Sequence, residues 1–235
     1  MQLKKVILLN LLGISCLAFL TGLGQVEKDF YCDEIIRRVG GPCLEGEGKS
    51  YPGLLLMQHR DIAGFVVGRD SFGTAERMFG KSEIWESGDA AEAESKVCYV
   101  SQKGNTKVFV VISSNSEMSN GMVDSLRLIQ GKVNFSDHCK ESTVKPEKLR
   151  TKSGIYVGMS LSEFKSLMGE PSGSKDHLLF YVFCDEKELK PDDPGYSQCL
   201  IDGKSVASRC SGITARFINS KLQWIEIGVA ADYGC

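Results

Sequence analysis

Residues 158–171 read GMSLSEFKSLMGEP, and this short stretch specifies both ends of a helix. Ser160 and Glu163 have the spacing of a capping box. In this motif the serine hydroxyl accepts a hydrogen bond from the glutamate amide, and the carboxylate accepts one from the serine amide. The apolar residues that follow recur at helical spacing, and Gly169 and Pro171 end the helix. The stretch therefore predicts an amphipathic helix that buries one face.

The same pattern occurs twice in the chain. Three segments of the first half match three of the second half in the same order: 64–68 with 154–158, 78–81 with 167–170, and 120–128 with 219–227. Ordered matches of this kind indicate an internal repeat. After each helix come short apolar or alternating runs that predict strands joined by turns. Each copy therefore predicts a helix followed by an antiparallel meander.

The predicted fold class is α+β, with two tandem repeats stapled by disulfides. Each repeat packs a helix, or a helix pair, on a three- to four-stranded antiparallel sheet. An extra helix is expected at residues 29–39, before the first repeat. We divide the chain into a signal peptide, the N-terminal helix with the first repeat, a charged linker that contains proline, and the second repeat: residues 1–24, 25–139, 140–153 and 154–235.

The N-terminus has the organisation of an export signal. Two lysines precede an apolar run at residues 6–20, and small residues up to Gly24 offer a cleavage site. An uncleaved membrane anchor at residues 6–23 and a lipoprotein acylated at Cys16 are the alternatives. We favour cleavage, which predicts a secreted or periplasmic protein that meets the membrane only if the signal is retained.

The cysteines agree with export. Eight of the nine lie beyond the signal, and an even number outside the cytosol favours a disulfide framework. No Cys-x-x-Cys motif occurs, so neither a thioredoxin-like site nor a paired-knuckle zinc site is indicated. Comparing the two repeats predicts the pairs Cys98–Cys139, Cys184–Cys235, Cys199–Cys210 and Cys32–Cys43. In one alternative Cys199 and Cys184 exchange partners.

Composition and motifs argue against several classes of function. The chain has 28 Lys and Arg against 30 Asp and Glu, so it lacks the basic footprint of a nucleic-acid-binding protein. The histidines His59, His138 and His177 are isolated from one another and have no metal-ligand spacing. No nucleophile elbow or phosphate loop is present. We therefore predict a non-enzymatic protein with no metal and no cofactor.

The remaining functional signal is a predicted surface. Alternation along the last strand, with Ile225 and Ile227 facing the helix, places Leu222, Trp224 and Glu226 on the opposite side. Tryptophan and arginine are enriched at binding hot spots. Burial of Trp224 against the other repeat is the alternative. The predicted partner-binding residues are Trp224, Arg216, Glu226 and Leu222, with Trp85 and Tyr99 as weaker candidates in the first repeat.

Residues 158–171 resemble a signature, Gly-Met-(Ser/Thr)-x-x-(Glu/Gln) followed by Leu-Gly-x-Pro. It is shared by the small lipoprotein of the outer-membrane β-barrel assembly machine and by the β-lactamase inhibitory protein. The first repeat departs from it, with Arg69 in place of Met and Gly73 inside the helix. The tandem arrangement is closer to the inhibitory protein. That resemblance implies two helix-plus-sheet repeats with a concave, aromatic-rich surface that grips an enzyme.

Together these features predict a secreted or periplasmic protein-binding module, such as an enzyme inhibitor or an immunity-like factor. Its partner would be a protein, for example an enzyme, and no nucleic acid. An envelope structural or assembly component is the first alternative. A small extracellular hydrolase with a distant carboxylate pair is the second.

Overall fold

The computed structural model describes residues 50–87, 94–115, 121–191, 200–201 and 204–229. Within them the helices are α1 Met57–Arg60, α2 Phe72–Phe79 and α3 Leu161–Met168. The strands are β1 Ser50–Pro52, β2 Asp61–Ile62, β3 Phe65–Val66, β4 Trp85–Ser87, β5 Glu94–Lys103, β6 Thr106–Asn115, β7 Ser125–Gln130, β8 Cys139–Glu141, β9 Gly173–Lys175, β10 Leu178–Glu188, β11 Leu200–Ile201, β12 Lys204–Ile218 and β13 Lys221–Val229.

One large sheet contains eleven of these strands. Eight follow each other in the order β1-β10-β12-β13-β7-β6-β5-β4, while β11, β8 and β9 pair with β12, β5 and β10. The sheet is mixed, because β1 runs parallel to β10 and β8 runs parallel to β5. The remaining two strands, β2 and β3, form a separate pair.

The predicted α+β fold of two tandem helix-on-sheet repeats is therefore wrong. The chain is mostly β, and strands from both halves belong to the same mixed sheet. The physical reason is that β7 and β13 pair with each other along their length. Such a pairing links distant parts of the sequence, and no local periodicity reveals it.

The junction between β7 and β13 is symmetric in register. Arg127 lies opposite Glu226 at its centre. The residue pairs directly before and after this charged pair are apolar and point to the other face of the sheet: Leu126 with Ile227 and Leu128 with Ile225. All four apolar side chains are buried in the same hydrophobic core. The core is thus continuous across the junction.

Helices α2 and α3 pack on the same face of the sheet. Phe79 of α2 lies 5.3 Å, between ring centroids, from Tyr99 of β5. Phe164 of α3 makes edge contacts with Tyr181 at 5.8 Å and with Phe217 at 5.3 Å. Aromatic rings bury large apolar areas, so these contacts anchor each short helix to the sheet.

The predicted capping of α3 is confirmed. The hydroxyl of Ser160 accepts a hydrogen bond from the Glu163 amide at 3.2 Å, and the Glu163 carboxylate accepts one from the Ser160 amide at 2.8 Å. The Ser160 hydroxyl also donates to the Glu163 carboxylate at 2.6 Å. This bond and the one from the Ser160 amide lower the pKa of the Glu163 carboxyl, because both favour its charged form. The helix ends at Gly169, whose φ of 78° suits glycine.

Within the described residues, two disulfides join neighbouring strands. Cys98 pairs with Cys139, as predicted. The predicted pairs Cys184–Cys235 and Cys199–Cys210 are both wrong, because the register of β10 and β12 places Cys184 opposite Cys210, and these two form the bond. The alternative in which Cys199 and Cys184 exchange partners gives that pair. The predicted pair Cys32–Cys43 and the cysteines 199 and 235 lie outside the described residues.

The disulfides indicate an oxidising environment, such as the periplasm or the extracellular space. The predicted signal and the helix at 29–39 lie outside the described residues. Residues 140–153, predicted as a linker, contain the end of β8, a 3₁₀ turn at Pro146–Lys148 and two buried residues, Leu149 and Thr151. Among the described helices, none is long and apolar enough to cross a membrane.

Candidate functional site

The candidate site is the face of the sheet opposite α2 and α3, which we call the open face. Successive side chains of a strand point to opposite faces of the sheet, so the residues of the open face alternate with the core residues along each strand. The strand registers align them in two central rows across β10, β12, β13, β7, β6 and β5. Row 1 contains Leu178, Arg216, Trp224, Ile129, Phe109 and Val100; row 2 contains Phe180, Thr214, Glu226, Arg127, Val111 and Cys98.

Row 1 is apolar apart from Arg216. Antiparallel sheets with one solvated face usually alternate apolar and polar residues, so that the solvated face is polar. Here Trp224, Ile129 and Val100 are half-buried, while Phe109 is buried. Row 1 therefore places adjacent apolar side chains, including a tryptophan, on the face away from the helices.

A charged cluster occupies the centre of row 2. The Arg127 Nη2 lies 2.5 Å and its Nε 3.1 Å from Oε2 of Glu226, and the Ser125 hydroxyl donates to Oε1 at 3.0 Å. The Arg127 guanidinium also lies 5.3 Å from the centroid of the Trp224 ring. The cation–π contact and the ion pair together hold the indole in place.

Three of the predicted partner-binding residues meet on the open face. Arg216 and Trp224 lie opposite each other on β12 and β13, and Glu226 is the next open-face residue of β13. The placement of Leu222 there is wrong, because its side chain is fully buried in the core. A β-bulge between Arg216 and Phe217 shifts the alternation by one residue, so Leu222 points to the core.

The two candidates in the first half lie elsewhere. Tyr99 is 1% exposed and packs on Phe79, so its assignment to a partner-binding surface is wrong. Burial raises the pKa of Tyr99 to about 12. Trp85 is half-buried on the edge strand β4, opposite Lys96, and stacks on the His138 ring at 5.1 Å. Its strand is separated from β13 by three others, so Trp85 lies apart from Trp224.

The sequence reasoning missed Arg127, Ile129, Phe109 and Val111. The signal was available for two of them, because alternation with the apolar residues Leu126 and Leu128, which lie in the core, places Arg127 and Ile129 on the other face. Strand β6 is almost continuously apolar at residues 108–112. Such a run does not show which residues face the core, so Phe109 and Val111 could not be assigned.

His59 lies within hydrogen-bond distance of a serine hydroxyl. It is buried, and its Nδ1 lies 2.8 Å from the Ser153 hydroxyl, which in turn lies 2.8 Å from Thr151 Oγ1. Burial lowers the pKa of His59. Thr151 Oγ1 also accepts from the Ile155 amide, so these groups fasten a turn to α1. Across the described part of the chain, no group of three or more metal-binding side chains converges.

Comparison of the chain with protein-family models, with curated proteins and with solved structures found no match. Fold analogy consequently adds nothing to the chemistry of the residues themselves. The open face and its charged cluster are therefore the basis for a functional proposal.

Proposed function

We propose that this chain is a non-enzymatic protein-binding module and that a protein partner docks on the open face. The observation that carries the proposal is row 1, where apolar side chains and one tryptophan adjoin each other on the face without the helices. Contiguous apolar patches on a soluble protein mark interaction surfaces. The export signal predicted from the sequence supports an encounter with the partner outside the cytosol, as expected for an inhibitor or immunity-like factor.

The dimensions of the open face limit the area that a partner can cover. Six adjacent strands at about 4.8 Å spacing make it about 24 Å wide. Its rows are two residues apart, or about 7 Å. With the flanking positions the sheet surface covers several hundred Å². Phe109, Phe180, Thr214 and Cys98 are already buried, so the accessible part is smaller than the roughly 800 Å² that each partner contributes to a standard interface.

Trp224 is the expected hot spot. Its indole is held by the Arg127 guanidinium, which is itself fixed by Glu226. A side chain that is ordered before binding loses less conformational entropy on association. Because the charges of Arg127 and Glu226 offset each other, an apolar partner surface can cover this centre at a smaller desolvation cost than an isolated charge would impose.

The flanking charges define the chemistry of the partner. Arg216 is exposed next to Trp224, and within the described part of the chain it makes no ion pair. Lys107 is exposed on the same face, at the beginning of β6. Complementary charges across an interface give specificity and speed association. We therefore expect an apolar partner surface with a carboxylate placed to meet Arg216.

Site-specific photo-crosslinking tests the proposal. A photoreactive amino acid replaces Ile129 on the open face in one variant and Leu167 in another. Leu167 is the matched control, since it is an exposed apolar residue on α3, on the other face of the sheet. Both variants are expressed in the native host with their disulfides formed. We expect one protein to be cross-linked through position 129 and not through position 167.

The captured partner is then purified and its affinity measured. Trp224→Ala should weaken binding by about 2 kcal/mol or more, which is about 30-fold in Kd, whereas Leu167→Ala should not change it. Inhibition of a captured enzyme would identify the chain as an inhibitor. Capture of outer-membrane assembly components would favour an envelope role. Equal cross-linking from both faces, or an unchanged Kd for Trp224→Ala, would contradict docking on the open face.

A further inference from the structure

A cavity of about 270 Å³ lies on the helix side of the sheet, away from the open face. It is bounded by α1, by the loop after β3, and by the ends of β7 and β13 that adjoin each other. Its wall is partly polar and partly apolar, with Met57, Val66 and Val229 among the apolar members. Three arginines also line it: Arg60, Arg69 and Arg209.

Arg60 is the most unusual of the three. Its Nη1 donates one long hydrogen bond, of 3.3 Å, to the Val67 carbonyl. Its Nε is buried and has no hydrogen-bond partner among the residues that the structure describes. Within the described part of the chain Arg60 makes no ion pair, whereas Arg69 is paired with Asp70 at 3.1 Å. A buried donor without a partner is costly, and the cost is larger for a charged group.

The electrostatic environment of Arg60 is cationic. Burial and the nearby guanidinium groups of Arg209 and Arg69 lower the pKa of Arg60. Arginine nevertheless stays charged in proteins, so the repulsion between these guanidinium groups persists. Among the described residues, Asp124 is the acidic member of the wall, and its backbone is fixed by hydrogen bonds with Ser113 and Val229. Asp70 already pairs with Arg69, and none of the described carboxylates forms an ion pair with Arg60.

We propose that this cavity binds a small organic anion, with its carboxylate or phosphate group beside Arg60 and Arg209 and its apolar body against Met57 and Val229. An oxyanion supplies the acceptors that the Arg60 guanidinium lacks, and guanidinium forks match the geometry of both head groups. The apolar part of the wall, which includes Met57 and Val229, accounts for the organic part. Cavities for drug-sized ligands span about 300–1,000 Å³, so this one suits a smaller molecule.

Calorimetric titration of the oxidised protein with a matched set of compounds tests this site. The probes are hexanoate and hexyl phosphate, their neutral counterpart hexanamide, and inorganic phosphate, which has the charge without the apolar body. We expect at least one of the two organic anions to bind with a Kd of about 1 mM or tighter, and hexanamide and inorganic phosphate to bind about tenfold more weakly or worse. The better of the two organic anions identifies the head group.

Substitution and mapping locate the binding. Arg60→Met should weaken the better anion at least tenfold, a loss typical of a charge-assisted contact. Arg150→Met is the matched control, because this exposed arginine stacks on Tyr156 outside the cavity. Amide chemical shifts of the unsubstituted protein give a second readout that does not depend on a variant folding. We expect the largest changes near Gly68 and Asp124.

Three results would overturn the proposal. The first is equal affinity for hexanoate and hexanamide, which would show that charge is irrelevant. The second is the absence of binding by both organic anions at millimolar concentration. The third is a set of shift changes confined to the open face around Trp224, which would place the anion elsewhere.

Discussion

Phe164→Ala tests whether the two halves of the chain form one cooperative unit. The Phe164 ring is fully buried under α3 and contacts both Tyr181 and Phe217 edge to face. Truncation removes these contacts and leaves a cavity between the helix and the sheet. The substitution lies in the second half of the sequence, so its effect on the first half reports on their coupling.

The expected loss of stability is about 4 kcal/mol. Truncation of a buried phenylalanine to alanine costs about 3–5 kcal/mol, because transfer and cavity terms add. Two aromatic contacts, each contributing about 0.5–1.5 kcal/mol, place this site in the upper part of that range. Domains of ordinary size have a total stability of about 5–15 kcal/mol, so the loss is a large fraction.

The two tryptophans provide the assay, since Trp85 is on β4 and Trp224 on β13. Trp85→Phe and Trp224→Phe each leave one fluorescent reporter. Urea slopes of about 1–3 kcal/mol/M convert the loss into a midpoint lowered by more than about 1 M. Because β7 and β13 pair along their length, we expect both reporters to follow a single transition that shifts by the same amount.

The control is Leu167→Ala, a truncation on the same helix at a side chain that is 43% exposed. It should cost below about 1 kcal/mol, as for other surface positions. Two results would refute the reasoning. One is a shift seen by Trp224 and not by Trp85, which would mean that the halves unfold independently. The other is a Phe164→Ala effect no larger than that of the control.

Three further predictions concern single contacts. Ser160→Ala removes the cap of α3 and should cost about 1 kcal/mol by urea unfolding, whereas an unchanged midpoint would contradict the capping box. Burial lowers the pKa of His59, so the unfolded chain binds the proton at a higher pH than the folded protein does. The free energy of unfolding should therefore fall as the pH drops below about 6.5, and it should fall less in the His59→Gln variant. Unfolding measured at pH 7.5 and at pH 5 compares the two proteins. Replacing both Cys98 and Cys139 by alanine opens a loop with a sequence separation of 41 and should cost about 4 kcal/mol, and a loss below about 1 kcal/mol would argue against that bond.

Helix α3 was predictable from the sequence because everything that defines it is local. The capping box, the apolar stripe around Phe164 and the terminal glycine all lie within a dozen residues of one another. Each acts through a contact of three or four residues along the chain. Chain order alone therefore suffices to place such an element.

The sheet was not predictable in the same way. Its continuity depends on the pairing of β7 with β13, two strands from opposite halves of the chain. Each strand alone has the pattern of an ordinary member of a small meander, so the sequence is compatible with either arrangement. The pairing of Cys184 with Cys210 has the same origin, because it follows from the register of β10 against β12.

The candidate site was predictable in part. Trp224 and Glu226 were correctly placed opposite the core because β13 alternates regularly from Trp224 onward. Leu222 was misplaced because the bulge next to Phe217 breaks the alternation, and a bulge leaves no period-two signal. Arg127 acquires its role only when Glu226 lies opposite it across the junction.

The two proposed sites can be tested independently because they lie on opposite faces of β13. Trp224 points to the open face, whereas Val229, an odd number of residues further along the strand, points to the core side and lines the cavity. Arg60→Met should therefore leave the affinity for the partner unchanged, and Trp224→Ala should leave the affinity for the anion unchanged. Contact-free sites usually behave additively within about 0.5 kcal/mol. A larger coupling would mean that β13 itself moves when either site is filled, since it is the element that both sites share.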